Sequence, residues 1–419
     1  MSADNALGST MAPSTTSSLG LPASLAEMEQ RRRAAADIVR CTPVFSSRSL
    51  SARCGGDIHL KAENLQRTGS FKLRGALSKL GTLDAGCREV VAGSAGNHAQ
   101  ALAYAARTRG IGCTVYVPAG ASVAKIGAIE AFGARVLEGG DSVDSCIQRA
   151  REYAAEHGAT FVHPFDDVEV LKGQAGVGLE LCEQVEDLAK VIVPIGGGGL
   201  ACGIAMAVRS LRPAVTIVGV QADACAPLAD LMNGRAARTP AATIADGIAI
   251  KRPGELTRPL VEKLLDGIVT VGDDQIAEAM MLLLERSKLL AEGAGAAATA
   301  ALLVGATEPA PRGATVVVIS GGNVDVGVLV GLIAQHETTA KRRLRLATRV
   351  ADRPGGLAEL LSTVAAAGAN VREILHVREG VELHVAQTGI ELLLETRGAG
   401  HSEAVVEQIR AAGHPVQIL

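Results

Sequence analysis

At residues 190–208 the chain reads KVIVPIGGGGLACGIAMAV, which is its most informative stretch for predicting the fold. A run of apolar residues ends in four consecutive glycines, Gly196 to Gly199, and an alanine-rich helical stretch follows at once. This order is typical of a buried parallel strand, a tight loop and a helix whose N-terminus faces the loop. Because bare backbone amides and a helix N-terminus can surround a phosphate, the loop predicts a site for a phosphate ester.

The same alternation of strands and helices extends from about residue 24 to about residue 333. Other strand-like runs end in small-residue turns at Gly93 and at Ser320. The carboxyl ends of parallel strands share one edge of a sheet, and ligands collect at that edge. We therefore predict an α/β enzyme in which the turns at Gly93, Gly196 and Ser320 line one cleft.

Composition favours a large enzyme core and a small-molecule partner. Of the 419 residues 48% are hydrophobic but only 2% are aromatic, so small aliphatic side chains must fill the interior. The net charge of -3 is spread along the chain, which predicts binding to neither nucleic acid nor an anionic membrane.

The eight cysteines lack paired spacing, so neither a disulfide framework nor a metal site is predicted. No apolar run approaches the roughly 20 residues of a membrane span, and the N-terminus lacks the features of a secretion signal, so we expect a cytoplasmic protein.

The chain divides into segments of different character. In order they are a disordered tail at 1–24, a catalytic domain at 25–335 with a small subdomain inserted at about 86–174, a linker at 336–342 and a second module at 343–419. The second module reads as strand, helix, strand, strand, helix, strand. Asp352 and Pro354 suit the start of its first helix, and Gly368 suits the end.

The segment SFKLRGA, residues 70–76, contains a candidate reactive amine. Ser70 is predicted to cap a helix that begins near Phe71 and places Lys72 in its first turn. The helix N-terminus and burial beside Phe71 would both lower the pKa of Lys72, and an unprotonated amine is needed to form an imine with an aldehyde. Taken alone, such a lysine is more often a solvated surface residue.

The segment GSAGNHAQ, residues 93–100, lies between a predicted strand and a predicted helix. Its backbone amides, Ser94 and Asn97 can form a site for a carboxylate, whereas His98 can be an ordinary helix residue. The stretch also nearly matches the nucleophile elbow of serine hydrolases, which makes a hydrolase one alternative. No downstream Asp and His pair is obviously placed to complete a triad.

Two further patterns bear on function. Read as Gly196-x-Gly198-x-x-Ala201 with Asp223 after the next strand, the glycine loop also fits a dinucleotide fingerprint, so a nicotinamide dehydrogenase is a second alternative. A glycine-rich packing turn is the plain structural alternative. The second pattern is SGGN at 320–323, where the Ser320 hydroxyl suits hydrogen bonding to a heterocyclic nitrogen.

Taken in order, SFKLRGA, SAGNHAQ, GGGGL and SGGN resemble the motifs of fold-type II pyridoxal phosphate enzymes. That family has a tryptophan synthase beta-like α/β fold with two open parallel-sheet subdomains. From about residue 25 to the end the chain is similar to threonine dehydratases (threonine ammonia-lyases) with a C-terminal βαββαβ ACT-like domain. The resemblance implies pyridoxal 5'-phosphate as cofactor and elimination of water from L-threonine, which gives 2-oxobutanoate and ammonia. L-serine would give pyruvate as a side activity.

The resemblance also implies roles for individual residues. Lys72 would be the Schiff-base lysine and general base, Phe71 would lie against the cofactor ring and Asn97 would bond its phenolic oxygen. Ser320 would face the pyridine nitrogen, and this neutral partner favours β-elimination over transamination. The other cofactor-binding residues would be Gly196, Gly197, Gly198 and Gly199 around the phosphate, together with Gly247 and Glu292. The loop that binds the substrate carboxylate would comprise Ser94, Ala95, Gly96, Asn97 and His98.

Serine racemase and 3-hydroxyaspartate ammonia-lyase, on the same fold, are closer alternatives. Racemisation requires a serine on the ring face opposite the lysine, and the corresponding residue is Ala95, which favours elimination. Gln221 and Pro227 stand where the racemase carries the acids of its divalent-metal loop, so no tight magnesium site is predicted, and a monovalent cation is left open.

The ACT-like module implies a second ligand or a second copy of the chain. A branched-chain amino acid such as isoleucine or valine is the expected effector, and a module that only pairs subunits is the structural alternative. Family likeness implies a homo-oligomer, either a dimer or a tetramer. A catalytically dead amino-acid-binding regulator is the non-enzymatic alternative.

Overall fold

The computed structural model describes residues 20–236, 238–378 and 386–419. The chain divides into two compact units, one ending at Val324 and the other beginning at Asp325. Most of the tail expected at residues 1–24 lies outside the described residues. The first helix begins at Leu25, where the Ser24 side chain and Glu27 form a reciprocal capping box.

The first unit alternates strands and helices along its length. Its strands are β1 (Val44–Ser46), β2 (Asp57–Ala62), β3 (Glu89–Gly93), β4 (Gly112–Val117), β5 (Arg135–Glu138), β6 (Thr160–Phe161), β7 (Leu188–Pro194), β8 (Thr216–Ala222), β9 (Gly267–Val271) and β10 (Ala314–Ile319). Its helices are α1 (Leu25–Ala34), α2 (Arg48–Cys54), α3 (Lys72–Leu80), α4 (Asn97–Thr108), α5 (Val123–Ala131), α6 (Val143–His157), α7 (Val168–Gln184), α8 (Gly199–Leu211), α9 (Pro227–Met232), α10 (Thr257–Leu264), α11 (Asp273–Leu282) and α12 (Gly293–Leu303).

These strands form two open sheets. The larger sheet has the order β1-β2-β10-β7-β8-β9, with β1 antiparallel to β2 and the other neighbours parallel. The smaller sheet has the order β5-β4-β3-β6 and is parallel throughout. The predicted α/β class with two open parallel-sheet subdomains is therefore confirmed.

Small residues let helices α7 and α8 approach closely beneath the larger sheet. A β-carbon on Gly178 would lie 2.7 Å from the carbonyl oxygen of Ile204, and one on Gly203 would lie 2.8 Å from the backbone nitrogen of Ala175. No larger residue fits at such distances. This close backbone packing is how a chain with few aromatic residues fills its interior.

The loops expected to line one cleft follow the ends of three parallel strands. Strand β3 ends at Gly93, β7 ends at Pro194 and β10 ends at Ile319. Strands β7 and β10 are neighbours in the larger sheet, whereas β3 belongs to the smaller sheet. The glycine loop and SGGN thus lie side by side, and the small subdomain contributes the third loop.

The second unit has one helix followed by a βαββαβ module. Its elements are α13 (Val326–Thr339), β11 (Arg343–Ala351), α14 (Gly356–Ala366), β12 (Asn370–Val377), β13 (Gln387–Glu395), α15 (Ala399–Ala411) and β14 (Gln417–Ile418). The strands form an antiparallel sheet of order β12-β13-β11-β14, and buried residues of the sheet and both module helices share one core. The predicted order of elements in this module is confirmed.

Two details of the second unit differ from the sequence analysis. Helix α13 continues to Thr339, so more than half of the segment expected as a linker at 336–342 is helical. Asp352 does not cap α14: the N-cap is Gly355, with a φ of 93°, and no side chain caps the helix. The helix starts later because the Asp352 amide still donates to the carbonyl oxygen of Ala386. Gly368 follows the end of this helix with a positive φ, as expected.

Candidate active site

Lys72 is the first residue of α3 and points its amine at the loop between β6 and α7. The Nζ atom donates a 2.9 Å hydrogen bond to the carbonyl oxygen of Pro164 and lies 5.2 Å from the centre of the Phe71 ring. Burial lowers the pKa of Lys72 to about 8, against the opposing attraction of the Glu292 carboxylate. A lysine with this pKa carries a substantial neutral fraction near physiological pH, as a nucleophile or a base requires.

The predicted cap at the start of α3 is wrong. Phe71 occupies the N-cap position and no side chain caps the helix. Ser70 instead forms a backbone bridge with Gly321, and its buried hydroxyl has no hydrogen-bond partner among the residues that the structure describes. The Phe71 amide donates to the carbonyl oxygen of Ser320, which ties the residue just before the helix to the segment SGGN. Burial, rather than a Ser70-capped helix end, therefore lowers the pKa of Lys72.

Neighbouring residues pack closely against the tetraglycine loop. A β-carbon on Gly197 would lie 2.4 Å from the Phe165 ring, and one on Gly196 would lie 3.0 Å from the Cα of Ile248. Gly198 has a φ of 96°, a conformation that favours glycine. Helix α8 begins at Gly199, so the loop meets the N-terminus of a helix, as the sequence predicts.

Asn97 and Glu292 join the small subdomain to the larger one within the site. The Asn97 Nδ2 donates a 2.6 Å hydrogen bond to Glu292 Oε1. Glu292 is only 6% exposed. Burial first, and then repulsion by Asp246, raise the pKa of its carboxyl to about 7, although the Asn97 hydrogen bond opposes the shift. A β-carbon on Gly247 would lie 3.8 Å from the same carboxylate, and one on Gly196 would lie 3.4 Å from the Gly247 carbonyl oxygen, so both glycines border this site.

Family models account for both units of the chain. Residues 35–321 match the family described as pyridoxal-phosphate dependent enzyme, and residues 345–414 match the ACT domain. The chain belongs to the pyridoxal-phosphate-dependent enzymes. The matched range contains Lys72, the glycine loop and Ser320.

Relatives of this pyridoxal-phosphate-dependent enzyme share most of its length. It is 42% identical to an L-threonine ammonia-lyase of Thermotoga maritima over 94% of this chain and 99% of that protein. The solved structure of a T.th. threonine deaminase is 38% identical, has a TM-score of 0.67 and covers 72% of this chain and 99% of its own. Maize serine racemase is 32% identical, with a TM-score of 0.71, and covers 76% of this chain and 98% of its own.

The remaining residues of the expected substrate loop surround the start of α4. Gly96 is the N-cap residue and no side chain caps the helix, while the Ser94 hydroxyl accepts a 3.2 Å hydrogen bond from the Gly96 amide. Ala95 packs against the core of the small subdomain. The first turn of α4 thus presents backbone amides of the kind that bind a carboxylate.

His98 is a buried residue whose ring points away from this loop. Its Nε2 donates a 2.9 Å hydrogen bond to the carbonyl oxygen of Val162. Burial, with a further contribution from Lys72, lowers the pKa of His98 to about 3, so the ring is neutral at physiological pH. A hydrolase that used Ser94 as nucleophile would need a base from elsewhere, and family membership disfavours that alternative.

The residues present fit pyridoxal phosphate. Protein atoms pack so closely behind the tetraglycine loop that it has no room for side chains, so it presents bare backbone next to a helix N-terminus that favours an anion. The unpartnered Ser70 hydroxyl lies in the segment directly before Lys72. Ser320 is buried and follows β10, next to the strand that leads into the glycine loop. Lys72 contacts Pro164, the neighbouring Phe165 packs on the glycine loop, and Phe71 bonds Ser320, so the amine, the loop and Ser320 lie close together.

Two supporting residues were missed by the sequence analysis. Phe165 packs on the glycine loop, and the Asp166 carboxylate accepts backbone hydrogen bonds from Glu255, Leu256 and Thr257. Thr257 in turn donates a 2.6 Å hydrogen bond from Oγ1 to the Gly197 carbonyl oxygen. The sequence HPFDD at 163–167 shows no pattern that predicts these contacts, because each one depends on residues far along the chain.

Gln221, the residue compared above with an acid of a divalent-metal loop, forms contacts within the protein. Its Oε1 accepts a 2.9 Å hydrogen bond from the Ala229 amide. Within the described ranges, no group of three or more His, Cys, Asp or Glu side chains is arranged to hold a metal ion.

Among the same residues, no helix has the length and apolar character needed to cross a membrane.

Proposed function

We propose that this chain is a threonine ammonia-lyase that converts L-threonine to 2-oxobutanoate and ammonia, with L-serine as a poorer substrate. The observation that carries the proposal is the buried amine of Lys72, with a pKa of about 8, beside a glycine cradle suited to a phosphate. The 42% identity with an L-threonine ammonia-lyase over almost the full length supports the choice of substrate. The overall reaction balances, because the water lost in elimination is returned when the released enamine is hydrolysed.

The cofactor is held by residues from three loops in this proposal. Lys72 bonds it covalently, the amides of Gly196 to Gly199 hold its phosphate, and Asn97 donates to its phenolic oxygen. Ser320 would face the ring nitrogen and Phe71 would lie against the ring. When bound, pyridoxal phosphate supplies an electron sink for the pair left when the α-proton departs.

Lys72 is also the proton carrier. Once the substrate amine had displaced it from the cofactor, the freed Nζ would remove the α-proton of threonine, which requires the neutral amine that burial favours. The neighbouring carbonyl oxygen of Pro164 accepts a hydrogen bond from Nζ and orients it. Ala95 offers no proton donor on the opposite side, so the chemistry favours elimination over racemisation.

The substrate carboxylate binds at the first turn of α4. The amides of Ala95, Asn97 and His98 lie at or just before this helix start, where the helix dipole attracts an anion. The Ser94 amide instead donates to the Tyr116 carbonyl oxygen, and the Gly96 amide donates to the Ser94 hydroxyl. The His98 ring is fixed by Val162, so its backbone, rather than its imidazole, faces the substrate in this proposal.

The test is a 2-oxo acid assay with L-threonine, L-serine and 3-hydroxyaspartate on cofactor-loaded protein. We expect turnover of threonine above serine, and loss of more than about 99% of it in Lys72→Ala, since the covalent anchor and base disappear together. Lys263→Ala, which removes an exposed lysine on α10, is the matched control and should retain full activity. Absence of 2-oxobutanoate from wild-type protein that holds the cofactor would overturn the proposal.

The second unit, which contains the ACT domain, is proposed to bind a branched-chain amino acid. It has a cavity of about 640 Å³ whose lining includes Arg343, Arg345 and Glu373, charges that suit the carboxylate and ammonium of an amino acid. Leu393 and Leu419 add apolar surface for its side chain. Repeating the assay with isoleucine or valine tests this directly: a changed threonine KM supports an effector, and identical curves reject one.

We further propose a cytoplasmic homo-oligomer. The chain's eight cysteines are free thiols, the state that the reducing cytosol maintains. Several exposed apolar residues on α13, including Val326 and Val330, supply surface for a second copy of the chain. Light scattering gives the oligomeric state, and a monomer at micromolar concentration would reject the assembly.

A further inference from the structure

Asn323, the last residue of SGGN, connects three loops of the site. Its Nδ2 donates a 2.8 Å hydrogen bond to the carbonyl oxygen of Thr68 and a 2.6 Å hydrogen bond to Asn97 Oδ1. The carboxamide is confined, because a β-carbon on Gly69 would lie only 2.2 Å from Asn323 Oδ1. Gly69 has a φ of 73°, so glycine suits both the space and the backbone at this position.

The contacts of Asn323 determine which way the Asn97 carboxamide points. The Thr68 carbonyl oxygen can only accept, so the Asn323 atom facing it must be the nitrogen. That same nitrogen faces Asn97, which must therefore present its oxygen. The Asn97 nitrogen is then directed to Glu292, where it donates at 2.6 Å. A backbone carbonyl thus sets the direction of a chain of hydrogen bonds that ends at a buried carboxyl.

We propose that Asn323 is a positioning residue that orients Asn97 as a hydrogen-bond donor to the cofactor. The inference rests on the proposed contact between Asn97 and the phenolic oxygen. With its oxygen fixed by Asn323, Asn97 gives one N–H to Glu292 and keeps the other for the cofactor. Without Asn323 only the Glu292 carboxyl constrains the Asn97 carboxamide, and a protonated carboxyl can donate to the amide oxygen as well as accept from its nitrogen. The carboxamide can then turn over and present its oxygen, which cannot donate.

A purely structural role fits the contacts less well. The loops that Asn323 joins are already connected by backbone hydrogen bonds, from the Gly322 amide to the Gly69 carbonyl and from the Phe71 amide to the Ser320 carbonyl. The Asn323 side chain is not needed to hold these two segments together. Its distinctive contribution is the hydrogen bond to Asn97 in the small subdomain.

A double-mutant cycle on cofactor affinity tests the proposal. The dissociation constant of pyridoxal phosphate is measured by equilibrium dialysis against the full-length apo-protein, without substrate, for wild type, Asn97→Ala, Asn323→Ala and the double variant. We expect each single change to raise the dissociation constant about tenfold, the usual effect of losing one such hydrogen bond. In the Asn97→Ala background, Asn323→Ala should then add less than about twofold.

Asn323→Asp is the second variant, since it keeps the size of the side chain and replaces the donor with an acceptor. Its carboxylate would draw the Asn97 nitrogen towards itself, so we expect weaker cofactor binding than in Asn323→Ala and the same dependence on Asn97. Asn64→Ala removes a nearby hydrogen bond to the Leu290 carbonyl and is the structural control, which should leave the dissociation constant unchanged.

Equal effects of Asn323→Ala with and without Asn97, or no effect at all, would overturn the positioning role. Far-UV circular dichroism and thermal melting establish that each variant is folded. If Asn323→Ala fails to fold, the same cycle with Asn323→Asp decides the question. Because no substrate is used, a chain that binds the cofactor but does not turn over threonine would refute the proposed function and leave this test intact.

Discussion

The ring of Phe165 lies against Gly197 so closely that a β-carbon at Gly197 would come within 2.4 Å of it. Atoms cannot approach to that distance without a displacement of ring or backbone. The ring belongs to the loop that also supplies the Pro164 carbonyl oxygen to Lys72. One short segment therefore determines both the shape of the phosphate cradle and the direction of the amine.

Gly197→Ala should weaken cofactor binding by at least about tenfold, because the added methyl group must push the loop or the Phe165 ring out of place. The matched control is Gly127→Ala in α5, where an added β-carbon meets nothing within 4 Å and alanine is the better helix residue. Equilibrium dialysis of pyridoxal phosphate against both apo-proteins measures the difference. Equal affinities in the two variants would show that the loop tolerates the change.

The rate of covalent capture of pyridoxal phosphate by the apo-protein should increase with pH up to about 8 and then level off. The neutral amine of Lys72 is the reactive form, and burial lowers its pKa from 10.5 to about 8. Stopped-flow absorbance between about pH 6 and about pH 10 measures the profile, with N-acetyl-lysine amide as the control for titration of the aldehyde itself. A rate that continues to increase as steeply as the control above about pH 9 would contradict the lowered pKa.

The sequence alone predicted those parts of the molecule that local pattern determines. The position of the glycine loop was predictable because an apolar run, four glycines and an alanine-rich run follow one another, and they form β7, the loop and α8. The βαββαβ order followed from periodicity. The cap at Ser70 failed because a tertiary contact, the bridge to Gly321, competes with the local hydrogen bond. The pairing of Asn97 with Glu292, and the packing of Phe165 on Gly197, join residues far apart in the chain that no local pattern relates.

Glu292→Gln should stabilise the apo-protein at about pH 8 and leave its stability near pH 4 unchanged. Burial raises the pKa of Glu292 from 4.5 to about 7. Between these two pH values the carboxyl is protonated in the folded state and ionised in the unfolded state. Stability contributed by this group therefore decreases as pH rises through that window. Above about pH 7 the ionised carboxyl lowers the free energy of unfolding by up to about 3 kcal/mol. Glutamine cannot ionise, so it avoids this loss, and its side-chain oxygen can still accept the hydrogen bond from Asn97.

Urea unfolding at the two pH values measures this difference. The control is Glu130→Gln, which replaces an exposed glutamate on α5. It should leave the free energy of unfolding nearly unchanged at both pH values. A Glu292→Gln variant that is no more stable than wild type at the higher pH would show that the carboxyl ionises without cost.

A buried set of four charges lies beside the helix that begins with Lys72. Arg74 pairs with Glu63 at 2.7 Å and with Glu180 at 2.6 Å, and Glu180 also pairs with Lys61. The side chains of all four are at most 4% exposed. Two positive and two negative charges balance one another, so removal of one leaves an uncompensated charge in a region with little water.

Glu180→Gln should therefore destabilise the folded protein by about 3 kcal/mol or more, because Lys61 and Arg74 would share the single carboxylate of Glu63. The control lies on the same helix: Glu183 pairs with Arg32 at 2.6 Å, but its side chain is 57% exposed. Glu183→Gln should cost less than about 1 kcal/mol, since water screens that pair and solvates the arginine left behind. Urea unfolding of the two variants compares the same substitution in buried and exposed pairs. Equal losses would mean that burial of the four charges adds nothing to the strength of their pairing.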